Sequence, residues 1–153
     1  MDFTTIVNPE NPAETYESRL WPEHCVQDTP GADLVPELDA GRVDLVINKG
    51  MRRDVEMYSA FYTPLVSPRV SDSGLAGVLR ERGVSHVYVV GLAADYCVQA
   101  TAVDAAAEGF ETYIVEEGTR PVDAAEWEGV REEIGGKGVK VVSLRGEEVR
   151  RVG

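Results

Sequence analysis

The stretch Val84-Ser-His-Val-Tyr-Val-Val90, Gly91-Leu-Ala-Ala-Asp-Tyr-Cys97, Val98 to Glu108 and Phe110-Glu-Thr-Tyr-Ile-Val115 decides the fold. Its first part is rich in β-branched and aromatic residues and stops at Gly91, the pattern of a buried strand. Val98 to Glu108 is rich in alanine and closes at Gly109, which predicts a helix with Asp95 as N-cap and Gly109 as C-cap. Phe110 to Val115 reads as a second strand. A strand, a helix and a strand in about thirty residues make a βαβ crossover, and therefore a parallel sheet. Cys97 falls in the first turn of the helix, where free backbone N–H groups and the dipole favour a thiolate and can hold an oxyanion. Taken alone, such a cysteine reads as a small buried hydrophobe. The short turn of glycine and alanine before it favours a catalytic reading, because small residues let a substrate approach the backbone.

The 153 residues suit one domain with a single substantial core. Fifteen basic against 27 acidic residues give a net charge of −12, which disfavours nucleic acid and anionic membrane as partners. Cys25 and Cys97 are too few for a disulfide scaffold and are expected reduced, in a cytoplasmic protein. No apolar run approaches the roughly 20 residues needed to cross a bilayer, and no secretory signal is visible.

Along the chain, residues 1–19 read as an irregular segment around Asn8-Pro-Glu-Asn-Pro12, with Asp2 isolated. Residues 20–145 read as the domain proper and 146–153 as a charged tail that frays. Ala32 to Leu38 suggests a short helix, and Val43 to Asn48 a strand ending at Lys49-Gly50. Ser71 is expected to cap a helix from Asp72 to Glu81, which Gly83 ends. Pro121 to Glu133 is a third helix, with Ala125, Trp127 and Val130 as candidate buried positions, and Gly138 to Leu144 a last strand. Strands alternating with helices predict a three-layer α/β/α fold with a mostly parallel sheet.

Lys49, at the C-terminal end of a predicted parallel strand, sits where ligands bind in α/β sheets, although a strand-end lysine is often only a solvated charge. Trp21, Tyr58 and Tyr96 are pocket walls or core aromatics; periodicity does not separate the two. His24 reads as a loop histidine bonded to backbone, Glu56 as a solvated carboxylate or a partner of Lys49, and Cys25 as structural. His86 lies inside a strand, and the acidic positions around Glu126 to Glu133 form a solvated face.

Together, Trp21-Pro-x-His-Cys-Val26, Lys49-Gly50 with Tyr58-Ser-Ala-Phe61, and Gly91-Leu-Ala-x-Asp-Tyr-Cys-Val98 leading into Thr101-Ala-x-Asp-Ala105 carry a resemblance. From Trp21 to about Leu144 the chain resembles the nicotinamidases among the isochorismatase-like cysteine hydrolases. The resemblance implies hydrolysis of nicotinamide to nicotinate and ammonia in NAD salvage. It makes Cys97 the nucleophile and Lys49 its cationic partner. The amides of Ala93 and Cys97 would form an oxyanion hole, with a cis peptide at Leu92-Ala93. Trp21, Tyr58 and Tyr96 would wall the substrate pocket, and His24 would be one ligand of a divalent metal, zinc being the expected ion. A homo-oligomer is a possible assembly.

The family pattern also includes a catalytic Asp after a first strand and an Asp-x-His after a second, and residues 1–19 match neither. The chain is therefore expected to lack the first two strands of the fold, the general base and two metal ligands. The metal is then not expected to bind this chain alone, since zinc takes three or four protein ligands, and a missing base typically costs about 10²–10⁴ in rate. In the family's strand order, the absence of two strands would leave a gap of about 10 Å between the Val43–Asn48 and Val84–Val90 strands, or let those strands collapse together. The competing expectations are a non-catalytic remnant or interaction module, and a sister hydrolase of another small amide.

Overall fold

The computed structural model describes residues 3–152; Asp2, Met1 and Gly153 lie outside it. Its centre is a three-stranded parallel sheet in the order β3-β4-β5, formed by β3 (His86–Leu92), β4 (Glu111–Arg120) and β5 (Val139–Val142). Preceding it is a separate antiparallel pair, β1 (Phe3–Asn8) and β2 (Asn11–Arg19). The helices are α1 (Leu75–Glu81), α2 (Gln99–Ala107), α3 (Trp127–Gly136) and the short α4 (Glu147–Arg150).

Alternation along the strands divides the sheet into two faces. Val87, Val89, Ile114 and Val139 face α2 and α3, meeting Val98, Ala102, Val130 and Ile134 in one apolar cluster. Tyr88 points the other way, and its hydroxyl donates to the Glu148 carbonyl of α4 at 2.8 Å. Helices thus cover both faces of a parallel sheet, the expected α/β arrangement. A second cluster joins Phe61, Ala105 and Phe110 with Leu75 and Leu79 of α1. Beyond α2, Gly109 has a φ of +91°, and the amides of Gly109 and Phe110 bond back to the carbonyls of Ala106 and Ala105. That left-handed turn is open to glycine at little cost and lets the chain reverse directly into β4.

Several sequence expectations are corrected. Residues 3–19 are not irregular: they form the β1–β2 hairpin, closed by Pro9–Glu10, with the Asn8 side chain accepting from the Glu10 amide. The β-branched residues on either side of that turn outweigh Pro12, which stands near the start of β2 in a two-stranded ribbon where a missing donor costs little. Val43–Asn48 is not a strand. It has no hydrogen-bonded neighbour, so its backbone polar groups gain nothing from a ladder, and Leu45 and Val46 stay exposed.

The helix after Ser71 begins only at Leu75, because Asp72 and Ser73 accept from the amides of Gly74 and Leu75 and hold the preceding residues in a turn. Of 32–38 only a 3₁₀ turn at Pro30–Ala32 forms. α3 starts at Trp127 and buries Ile134; Ala125 is exposed, since Asp95 and Asp123 fix residues 122–125 in a turn. The tail folds as α4.

The hairpin is fastened to the body by polar groups. The Glu14 carboxylate accepts from the amides of Val66 and Ser67 and from the Asn8 side chain, whose amide also donates to Pro68 O. The Val66 amide, then Asn8, hold the Glu14 carboxyl below its ordinary value of 4.5. A depressed folded-state value means the attachment is complete above 4.5 and is lost as pH falls through the lower folded value. Hydrogen-exchange protection of the Val66 and Ser67 amides is expected to fall over that acid window, and Glu14→Gln to flatten the dependence. In the main core, Ile114→Ala is expected to lower stability by about 3 kcal/mol in urea unfolding, because Ile114 is fully buried between β3, β5 and α2.

Candidate active site

Cys97 lies at the carboxyl end of β3, inside a π-helical turn (Ala94–Val98) that runs into α2. The widened turn brings both the Tyr96 and Val98 amides onto the Ala93 carbonyl, at 3.1 Å each. The Leu92–Ala93 peptide that leads into it is cis. Asp95 does not cap α2 as its position suggested. The wide turn directs its carboxylate to the β4–α3 connection, where it accepts from the amides of Val122 and Asp123 at 2.9–3.0 Å. Cys97 is half-buried and unpaired with any disulfide partner.

Lys49 reaches the sulfur from an irregular stretch rather than from a strand end. Its Nζ stands 3.5 Å from Cys97 Sγ and donates to the Met57 carbonyl at 2.9 Å. The segment carrying that carbonyl is itself fixed: the Ala60 amide donates to Thr101 Oγ1 of α2, and the Met57 amide to Glu56 Oε1. Tyr16 of β2 donates to the Glu56 carbonyl at 2.7 Å. Burial first, then the nearby Glu56 charge, push Tyr16 up to about 12, which keeps it a donor.

Trp21, Tyr58 and Tyr96 come together as an edge-to-face knot. The Trp21 and Tyr96 ring centroids are 4.6 Å apart, those of Tyr58 and Tyr96 5.7 Å, and the Trp21 indole N–H donates to the Tyr58 hydroxyl at 3.0 Å. Two residues that the sequence reading passed over, Ser18 and Arg19, join it from the end of β2. Ser18 Oγ lies 3.1 Å from the Tyr58 hydroxyl, and Arg19 donates to the Tyr96 hydroxyl. The signal for them was present: Thr4 to Val7 and Thr15 to Tyr16 flank a Pro- and Asn-containing turn, which is a hairpin pattern.

His24 is exposed, its Nδ1 2.7 Å from the Pro22 carbonyl, on the rim of a hollow it shares with Trp21 and Glu56. Among the described residues no three His, Cys, Asp or Glu side chains converge so as to hold a metal ion. The residues present therefore do not fit the three- or four-ligand site that zinc requires. Nor does any carboxylate make a hydrogen bond to Lys49 or Cys97 among those residues.

The structure is an α/β protein whose parallel sheet carries, at its carboxyl end, a half-buried thiol beside an ammonium group. The isochorismatase domain model matches residues 3–145, and the chain belongs to that family. It is 42% identical over 121 residues to a nicotinamidase of Acinetobacter baylyi, an alignment covering 79% of this chain and 53% of that one. A solved yeast nicotinamidase bound to the inhibitor nicotinaldehyde superposes with a TM-score of 0.84 at 32% identity, covering 93% of this chain and 67% of that one. A Pyrococcus horikoshii pyrazinamidase, solved in complex with zinc, gives 0.68 at 37% identity, covering 81% and 63%. The chain spans about half the length of the curated relatives it matches. Among the described residues, no helix is long and apolar enough to cross a membrane.

The Lys49–Cys97 approach has a direct chemical readout. In a Cys25→Ser background, alkylation of Cys97 by iodoacetamide is expected to slow roughly tenfold on Lys49→Met, since the thiolate is the reacting species. Mass spectrometry of the labelled peptide measures the rate.

Proposed function

We propose that the chain is an amidohydrolase of the nicotinamidase type, converting nicotinamide and water to nicotinate and ammonia in NAD salvage. The observation that carries this reading is the 3.5 Å approach of Lys49 Nζ to Cys97 Sγ. An ammonium group at that distance can stabilise negative charge on the sulfur when it reacts.

The thiolate attacks the carboxamide carbon, forming a C–S bond and placing negative charge on the oxygen. The Ala93 and Cys97 amides are the assigned donors to that oxygen. Collapse breaks the C–N bond; the nitrogen takes a proton, for which the Lys49 ammonium is the nearest donor, and departs as ammonia. Water then adds to the thioester carbon, the C–S bond breaks to return the thiolate, and the proton set free as the carboxylate forms restores the Lys49 ammonium. The substrate ring packs against Trp21, Tyr58 and Tyr96. In the family a divalent metal would add a Lewis acid; among the described residues no ligand set for one converges, and none of the steps above uses it.

A second reading is a chain of the same family without turnover, or one acting on another small amide. It is favoured by the engagement of Asp95 with the Val122 and Asp123 amides and of Glu56 with the Met57 amide, which among the described residues leaves no carboxylate bonded at the sulfur. Ammonia release from nicotinamide discriminates the two. The amidase reading expects release that Cys97→Ala abolishes and Lys49→Met lowers by at least about 10²-fold. Absence of release from the unaltered chain, with or without added zinc, overturns it.

A further inference from the structure

Cys97 and Thr101 stand four residues apart on one helical run, the π turn that leads into α2. Residues at that spacing lie on the same side of a helix, one about a turn beyond the other. Thr101 is half-buried, and its Oγ1 accepts from the Ala60 amide at 3.0 Å. Three residues before Ala60, the Met57 carbonyl accepts from Lys49 Nζ at 2.9 Å, and the same Nζ stands 3.5 Å from Cys97 Sγ. The contacts therefore close into a ring: sulfur, one helical turn, threonine oxygen, Ala60, Met57 carbonyl, ammonium, and the sulfur again. Alanine, which fills most of α2, would serve the helix better at position 101. What threonine adds there is an oxygen.

The segment between Met57 and Phe61 transmits position rather than absorbing it. Met57, Ser59 and Phe61 are buried, and the Phe61 amide donates to Ser59 Oγ at 3.1 Å. Close packing on every second residue leaves such a stretch little room to bend. Three polar bonds hold it to its surroundings. Ser73 donates to the Ala60 carbonyl at 2.6 Å and Tyr16 to the Glu56 carbonyl at 2.7 Å, but neither the turn before α1 nor the hairpin carries the sulfur. Of the three, the Thr101 bond alone runs to the helix on which Cys97 stands. The Tyr58 ring also meets Tyr96 edge to face, with centroids 5.7 Å apart, a contact that fixes distance less sharply than a hydrogen bond.

We propose that Thr101 is a positioning residue for the Lys49–Cys97 pair: by holding the Ala60 amide, its side-chain oxygen sets the Met57 carbonyl and, through it, the ammonium at the sulfur. The proposal rests on Cys97 as the reacting group of the amidase reading, and alkylation tests it without turnover. In the Cys25→Ser background of the whole chain, Thr101→Val keeps the branched shape and removes the acceptor. It is expected to slow iodoacetamide labelling of Cys97 roughly threefold, part of the tenfold expected for Lys49→Met. Thr101→Ser, which keeps the oxygen, is expected to label at the parent rate. In a Lys49→Met background, Thr101→Val is expected to change nothing, because the group it acts through is gone. A threonine that only packs the start of the helix gives the same slowing in both backgrounds. That result, a Thr101→Val rate equal to the parent's, or a Lys49→Met protein that labels as fast as its parent, overturns the proposal. Should Thr101→Val not fold, hydrogen exchange of the Ala60 amide in the unaltered chain decides: protection like that of the α2 amides is expected, and exchange as fast as an exposed loop amide overturns it. Failure of the unaltered chain to release ammonia, with the labelling pattern intact, removes the amidase reading and leaves the positioning role standing.

Discussion

Helix α2 can lie close to two cores at once only because its inward residues are alanines. Ala102 is fully buried against the sheet with Ile114 and Ile134, and Ala105 against Phe61 and Phe110. A larger side chain at either position would overfill a closely packed interior, at a typical cost of about 1–3 kcal/mol. Because the helix is seated so closely, Thr101 is near enough to accept from the Ala60 amide. Through that bond the segment from Glu56 to Phe61 is fixed, and with it the Met57 carbonyl that moors Lys49 beside the sulfur. The place of Lys49 beside Cys97 is thus set by small residues of the helix that follows the π turn.

The crossover was legible because its signals agree at every level: β-branched strands, an alanine-rich helix, and glycines at the boundaries. Lys49 stands beside Cys97, and Trp21, Tyr58 and Tyr96 pack on one another, all residues whose types mark them in the sequence; their roles rest on the proposed reaction. What sequence could not give was direction. Asp95 has the right type and place for a cap, but a π turn sends its carboxylate to another loop. Val43 to Asn48 has the composition of a strand, yet a strand exists only with a neighbour to bond, and composition does not reveal the neighbour. The hairpin is hard to see in the sequence because proline is excluded from central strands, whereas a two-stranded ribbon has free edges that tolerate it.

That hairpin matters beyond its size. Without it the aromatic knot would lose Ser18 and Arg19, and the Glu56 carbonyl its bond from Tyr16. The hollow that Arg19 lines is balanced in charge, with Arg19, Arg52 and Arg53 set against Glu23, Asp54 and Glu56.

Lys49 is anchored differently from Cys97. The sulfur is fixed by a sheet end and a helix, whereas the ammonium hangs from an irregular, solvent-facing stretch by one carbonyl. Segments with so few anchoring contacts open at low free-energy cost. The separation of ammonium and sulfur is therefore only as constant as the irregular stretch that carries Lys49 up to its bond with the Met57 carbonyl.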